Sequence, residues 1–338
     1  MKKVALKTIA KELGVSIATV SRALSGKPGV SDRLREQIVN TAKRLGYQPN
    51  IAATALRIGK STTIGVLIPE LSGSFFAEIV SSMEKVLSDA GYRVILCSTE
   101  DNPSKEAEHL QTLINLNVEG ILSAPVGMKS NKQLYRRIIE DLKLPVVFFD
   151  RIVEGIEADN VVTDSKEGMR LLMDYLISKG HHKIGIIHPL KETSTGAERL
   201  KTFLEYKDKI KIRREWIKDG GSFEVGGYES FIEIMKLKEK PTALIIGNNL
   251  MTLGALKAIK RLKIKIPDDI SIVSFDDASW NEIFDPPITC VSQDPYQIGL
   301  ISASILLDKL KAKRKTTREK MRVVLKVKFI ERRSVKKI

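Results

Sequence analysis

A chain of 338 residues with 43% hydrophobic residues is too long for one ordinary compact domain and too apolar for a disordered one. Two cysteines, Cys97 and Cys290, exclude a disulfide framework and read as buried thiols in a reducing compartment, and no run approaches the ~18 uninterrupted apolar residues of a membrane span. The net charge of +15 is unevenly spread: residues 1–60 carry 12 Lys/Arg against 3 Asp/Glu, residues 309–338 carry 14 against 2, and the body between them has 36 acidic against 30 basic residues. A basic head on an acidic body points to an anionic partner for the N-terminus. The basic tail reads either as a solvated helix face and strand edge or as a further anionic contact. No apolar leader follows Lys2 and Lys3, so a cytoplasmic location is expected.

Thr8-Ile9-Ala10-Lys11-Glu12-Leu13-Gly14 followed by Val15 through Leu24 reads as helix, glycine turn, helix, the size of a helix-turn-helix. Ile9, Ala10, Leu13, Val15, Val20, Ala23 and Leu24 can close a small core. That turns Ile17, Ala18, Thr19, Ser21 and Arg22 outward, at the end of the helix that such motifs present to base edges. A third helix is predicted over Asp32–Leu45, capped by Ser31 and stopped by Gly46, with apolar positions at Leu34, Ile38, Ala42 and Leu45. Residues 50–57 form a short helical pattern with Asn50 as N-cap. A helix this short is marginal in water and needs something to hold it.

From Thr63 onward, strand-like runs alternate with amphipathic helical runs. Strands are predicted at 64–68, 94–97, 120–124, 146–149, 183–187, 243–246 and 271–275. Helices fall near 75–90, 104–116, 131–142, 166–179, 195–206, 226–237, 250–262 and 295–312. This alternation predicts an α/β fold of parallel sheets covered on both faces, and the number of strands predicts two doubly wound lobes. Ligands of such folds bind beyond the C-terminal ends of the strands, here in a cleft between the lobes.

The motifs Thr8-Ile9-Ala10, Gly14-Val15-Ser16, Ala18-Thr19-Val20-Ser21-Arg22 and Leu45-Gly46-Tyr47-Gln48-Pro49-Asn50 resemble the LacI/GalR family of transcription repressors. Further matches, in order, are Ile64-Gly65-Val66, Phe76-Ala77-Glu78, Asp150-Arg151, Gly180-His181, Arg199-Leu200, Pro241-Thr242-Ala243, Leu253-Gly254-Ala255 and Pro267 to Ile272, with Glu331-Arg332-Arg333-Ser334 as the closing strand. The resemblance spans the chain. It implies a helix-turn-helix headpiece over 1–47 and a hinge helix over 48–60. Two lobes of the periplasmic-binding-protein type follow, at 61–160 plus about 292–322 and at 161–291 plus about 323–338. It also implies a homodimer on a near-palindromic double-stranded DNA operator. With no apolar heptad tail before Ile338, a dimer is expected over a tetramer.

On this resemblance Arg22 contacts guanine, or clamps a phosphate instead. Ile17 and Ala18 offer apolar contact to bases, while Thr19 and Ser21 meet phosphates. Thr8, Ser16, Asn50 and Ala53 complete the DNA-facing set. Leu56 is the wedge that enters the minor groove and kinks the duplex, and it also packs on its dimer mate.

The resemblance places a small-molecule effector, a sugar above all, in the cleft. Asp150, Arg199, Asn248 and Asp276 match its ligand-contacting positions, with Phe75, Phe76, Phe223 and Gln293 as further lining. Carboxylates beside Arg and Asn suit hydroxyls that donate and accept hydrogen bonds. Each has a plainer alternative: caps or turns for Asp150, Asp276 and Asn248, an ion pair for Arg199, core packing for the phenylalanines. Asp164 reads as a helix cap for Glu167. Asn249 stands where the family usually has Asp, and the stretch from Phe203 to Trp216 is shorter than usual, so the effector's identity stays open between a sugar and a purine-like corepressor.

No enzyme is predicted. Gly59-Lys60-Ser61 lacks the first glycine of a phosphate loop and precedes a strand. His181-His182 lacks a third ligand at sensible spacing and reads as a surface pair, so neither metal nor cofactor is expected. A transport-type sugar-binding protein would gain nothing from a basic headpiece.

Overall fold

A computed structural model of the chain describes residues 4–47, 61–312 and 320–338. Contacts divide it into two compact units, residues 1–61 and 62–338. The expected hinge helix, with Asn50, Ala53 and Leu56, lies outside the described residues.

In the first unit, α1 (Leu6–Leu13), α2 (Ile17–Leu24) and α3 (Asp32–Arg44) close a core of Ile9, Ala10, Val20, Ala23, Ile38 and Ala42, all buried. Gly14 ends α1 at φ 64°, a left-handed conformation that suits glycine, and its N–H donates to the Ala10 carbonyl. Ser16 starts α2 two residues later: its Oγ accepts from the Thr19 N–H at 3.0 Å. Ser31 caps α3 in the same way, accepting from Leu34 N–H, and Arg35 ties α3 back by donating to the Ala23 and Lys27 carbonyls at 2.8 and 2.7 Å. Arg44 pairs with Glu12 across α3 and α1.

The second unit has two sheets of six strands. In the first lobe the elements run β1 (Thr63–Ile68), α4 (Ser74–Asp89), β2 (Arg93–Ser98), α5 (Pro103–Asn115), β3 (Gly120–Ser123), α6 (Lys132–Arg136), β4 (Val146–Phe149) and β5 (Asp159–Thr163). The chain then crosses to the second lobe: α7 (Ser165–Ser178), β6 (Ile184–His188), α8 (Ser194–Leu204), β7 (Ile217–Asp219), α9 (Glu224–Met235), β8 (Ala243–Ile246), α10 (Asn249–Leu262), β9 (Ser271–Phe275), α11 (Ser279–Ile283) and β10 (Thr289–Ser292). It returns through α12 (Pro295–Lys311) and β11 (Arg322–Leu325), and crosses a third time into β12 (Lys328–Ile330).

The strand orders are β11-β5-β4-β3-β1-β2 and β12-β10-β9-β8-β6-β7, the same winding twice over. Among the described residues all strand pairings are parallel except β12 on β10. Central strands buried on both faces need unbroken apolar runs, and Val146–Phe149 and Ala243–Ile246 are buried throughout. Each such Val, Ile or Phe contributes roughly 1.5–3 kcal/mol of burial. α12 packs on α4 and on the first sheet. Its Gly299 is required there, since a Cβ would lie 2.3 Å from the Ile79 carbonyl oxygen.

Four details depart from the expectations. The first sheet runs to Thr163 and takes in Arg322–Leu325, against expected lobe boundaries at 160 and about 322, because β5 and β11 pair with each other in register. The closing strand ends at Ile330, short of Glu331–Ser334. Ser334 instead pins the edge, accepting from Thr289 N–H and donating to the Ile272 carbonyl. His181 is fully buried, not on the surface. Its Nε2 donates to the Lys336 carbonyl at 3.0 Å, its Nδ1 lies 3.0 Å from the Thr242 hydroxyl, and burial lowers its pKa. His182 is exposed as expected. Both cysteines are buried free thiols, and burial pushes Cys290 up to about 12.

Candidate functional site

Each sheet ends its strands toward the same cleft. Pro69 and Glu70 follow β1, Asp101 follows β2, and Asp150 follows β4. From the second lobe, Pro189 follows β6, Asn248 and Asn249 follow β8, Asp276 follows β9, and Gln293 follows β10. These segments meet around a narrow cavity of about 40 Å³. All eight residues expected at the effector site line it: Phe75, Phe76 and Asp150 from the first lobe, with Arg199, Phe223, Asn248, Asp276 and Gln293 from the second lobe and its crossing.

Asp150 and Asp276 both sit one residue past the fourth strand of their lobe, and both have left-handed backbone, φ 59° and 74°. For a side chain other than glycine that conformation costs of order 1 kcal/mol or more, and such strain gathers at functional sites. Both carboxylates are buried. Burial raises Asp150 to about 6, opposed by the Arg151 and Arg199 guanidinium charges and reinforced by Asp276 and Asp101. Burial also raises Asp276, opposed by Arg199 and by hydrogen bonds from Gln293 and the Asn249 N–H. Gln293 Nε2 donates to Asp276 Oδ1 at 2.6 Å, while Gln293 Oε1 is buried without a hydrogen-bond partner.

Arg199 makes none of the ion pairs its alternative reading foresaw among the described residues. Its guanidinium lies 3.6 Å over the Phe275 ring, and Nη1 donates to the Gly247 carbonyl at 2.7 Å. Burial lowers its pKa, offset by the nearby Asp276 and Asp150 charges. Asn248 does what its alternative proposed as well as lining the cavity. Its Oδ1 caps α10 by accepting from Met251 N–H, and its Nδ2 donates to the Ser222 carbonyl, both at 2.8 Å. Asn249 is buried and turned inward, with Oδ1 accepting from its neighbour Leu250 N–H. Asp164 caps α7 through the Glu167 N–H, as expected.

Several lining residues escaped the sequence reading. Arg151 and Asp101 form a buried ion pair at 2.5 Å, with Asp150 3.5 Å from Arg151 Nε. Burial lowers the Arg151 pKa, but Asp101 and Asp150 more than compensate and the net shift is upward. Glu70 accepts from Ser72 Oγ and Gly73 N–H, shaping the turn that delivers Phe75 and Phe76. The doublet Asp150-Arg151 was visible, but nothing local marked Asp101, 50 residues upstream, as its partner. On the side of α8 the lobes also touch directly: Met128 N–H donates to the Glu192 carbonyl and Ile152 N–H to Ser194 Oγ.

The headpiece offers a second surface. Thr8, Ser16, Ile17, Ala18 and Arg22 are exposed, while Thr19 and Ser21 are half-buried. The Thr19 hydroxyl lies 2.9 Å from Ser16 Oγ, so these two side chains also hold the start of α2 together. Among the described residues no group of three metal-binding side chains occurs, and no helix is long and apolar enough to cross a membrane.

Comparison with known proteins adds to this geometry. The model of the family described as bacterial regulatory proteins, lacI family, matches residues 5–50, and that of a periplasmic binding protein-like domain matches residues 173–335. The chain is 31% identical to the HTH-type transcriptional repressor PurR of Proteus mirabilis, over 98% of this chain and 96% of that protein. It is 29% identical to the repressor of the same name in Mannheimia succiniciproducens, over 98% and 99%. Among solved structures, the lac repressor dimer bound to operator and the anti-inducer ONPF superposes with a TM-score of 0.83 at 23% identity, covering 99% of this chain and all of that one. A LacI family transcriptional regulator from Enterococcus faecalis with bound ribose gives 0.71 at 26% identity, covering 82% and 99%.

Proposed function

The chain belongs to the LacI family of bacterial regulatory proteins, and from that premise we propose that it is a transcriptional repressor whose hold on its operator is set by a sugar in the inter-lobe cleft. As a LacI-family repressor it partners operator DNA as a dimer and answers to a small molecule. The sugar, and the residues that read it, are our reading of the site.

One observation carries it. Asp150 and Asp276 bring a carboxylate from each lobe into one buried cavity, with Arg199 within electrostatic reach of both. Counting Glu70, Asp101 and Arg151, the cavity is lined by four carboxylates and two guanidiniums, so an anionic ligand meets net repulsion. A neutral polyol satisfies acceptors and donors alike. The Phe75, Phe76 and Phe223 rings supply apolar faces for the C–H side of a sugar ring. The same rings favour a second reading, a flat nucleobase-like corepressor stacked between them.

The mechanism is a coupled equilibrium. Three crossings join the lobes, at residues 163–165, 292–295 and 325–328, and a ligand held by both lobes biases their angle. The headpieces read DNA through α2. Arg22 discriminates bases, Ile17 and Ala18 meet base edges, and Thr8, Ser16, Thr19 and Ser21 meet phosphates, with Asn50, Ala53 and Leu56 acting from the hinge. A ligand that prefers the DNA-competent lobe angle acts as corepressor, and one that prefers the other acts as inducer. The test is a thermal-shift screen of sugars and nucleobases, repeated with Asp276→Ala. The reading expects a sugar to stabilise the wild type and not the variant. Stabilisation by nucleobases alone selects the second reading.

A further inference from the structure

The narrow cleft is not the only space behind Asp276. Phe75, Asn249, Asp276 and Gln293 also wall a neighbouring chamber of about 520 Å³, within the range of small-molecule sites. Gln293 stands at the junction. It is 7% exposed, its Nε2 is committed to Asp276, and its Oε1 has no hydrogen-bond partner. A buried, unpaired acceptor of this kind costs free energy until a donor reaches it.

The far wall of the chamber has chemistry that suits a carbohydrate. Tyr296, 48% exposed at the start of α12, offers an open ring. Lys326 and Lys328 lie at the crossing between β11 and β12, and among the described residues neither they nor Glu78 make an ion pair. Asp277 is neutralised by a bidentate pair with Arg332 at 2.9 and 2.8 Å, and Asp294 caps α12. With Asp277 neutralised, Asp276, Asp294 and Glu78 stand against Lys326 and Lys328, so the chamber has no net positive charge to draw in an anion such as a phosphate group.

We propose that the effector is a two-ring glycoside, with one ring in the cleft between Asp150 and Asp276, the second in the chamber against Tyr296, and a hydroxyl at the junction donating to Gln293 Oε1. This rests on the sugar reading above and adds the ligand's size and its second subsite. It also has a consequence for control. The chamber is lined by two of the three crossings, at Ser292–Pro295 and Lys326–Lys328, so the second ring presses on the segments about which the lobes turn.

Titration calorimetry on the full chain tests this, using glucose, galactose, ribose, cellobiose, maltose, lactose, glucose 6-phosphate and adenine as probes against wild type and Tyr296→Ala. A disaccharide is expected to bind about tenfold or more tighter than either of its monosaccharides. Tyr296→Ala, a change at an exposed ring, is expected to erase most of that advantage while leaving monosaccharide affinity unchanged. The two-ring proposal is overturned if a monosaccharide binds as tightly as the best disaccharide, if the sugar phosphate binds best, or if the variant weakens both sugar classes equally; in each case the sugar reading survives. Binding of adenine with no saccharide binding at all defeats the sugar reading itself.

Discussion

Asp150 and Asp276 occupy equivalent places in the two lobes. Each follows the fourth strand of its sheet, each is left-handed at φ 59° or 74°, and each turns a buried carboxylate into the same cavity. Two windings of one topology thus deliver a matched pair of acceptors to opposite sides of a cleft. Such pairs cost stability in the empty protein, because a buried charge without full solvation is held against its preference.

That cost has a sign and a pH window. Asp150 is raised from an unfolded value near ~4 to about 6, so its contribution to stability is fully present below about 4 and is lost as pH rises through about 6. Asp150→Asn is therefore expected to stabilise the ligand-free protein at pH 7.5, by on the order of 2–3 kcal/mol, with no gain at pH 4. Denaturant melts of both proteins at the two pH values check this. Equal stability at pH 7.5 contradicts it.

Arg22 projects from the exposed face of α2, beside Ile17 and Ala18. Arg22→Ala is expected to reduce discrimination between operator and scrambled DNA by about 1–3 kcal/mol. Fluorescence anisotropy with both duplexes at one fixed salt concentration reads this directly. Equal losses on the two duplexes reduce Arg22 to a phosphate clamp.

Arg199→Lys tests the guanidinium itself. Lysine keeps the charge but gives up the planar stack on Phe275. We expect sugar affinity to fall at least about tenfold, with loss of thermal stability as well. Wild-type affinity in Arg199→Lys excludes Arg199 from the site.

Ser16→Ala removes the cap that starts α2 and the hydroxyl beside Thr19. The expected cost to the headpiece is about 0.5–2 kcal/mol, read as faster amide exchange in α1 to α3. The unit of residues 62–338 is expected to keep its exchange pattern.

Much of the fold is legible in the chain because its main signals are periodic. The unbroken runs Val146–Phe149 and Ser271–Phe275 mark buried strands, and the spacing of Ile9, Ala10, Val20 and Ile38 marks a three-helix core. What stayed hidden lacks such a pattern. β5 reads Asp-Asn-Val-Val-Thr and alternates buried with half-buried positions, β7 and β12 are only three residues long, β11 is a half-exposed edge strand, and β10, though buried, is a four-residue run with polar ends at Thr289 and Ser292. Asp150, Arg199, Asn248 and Asp276 stand out by resemblance, and the winding explains why they converge. The Arg151–Asp101 pair and the buried His181 do not, because each depends on a partner 50 or more residues away.

If the cleft governs the headpiece, operator affinity must change when sugar is bound. Operator binding by the full chain is followed by anisotropy, in the presence and absence of the sugar that most raises its melting temperature, for wild type and Asp276→Ala. Coupling of the size typical for allosteric proteins shifts the wild-type operator Kd by about 5- to 150-fold and leaves Asp276→Ala unmoved. A sugar that binds the wild type while its operator Kd stays the same means that the cleft does not govern the headpiece.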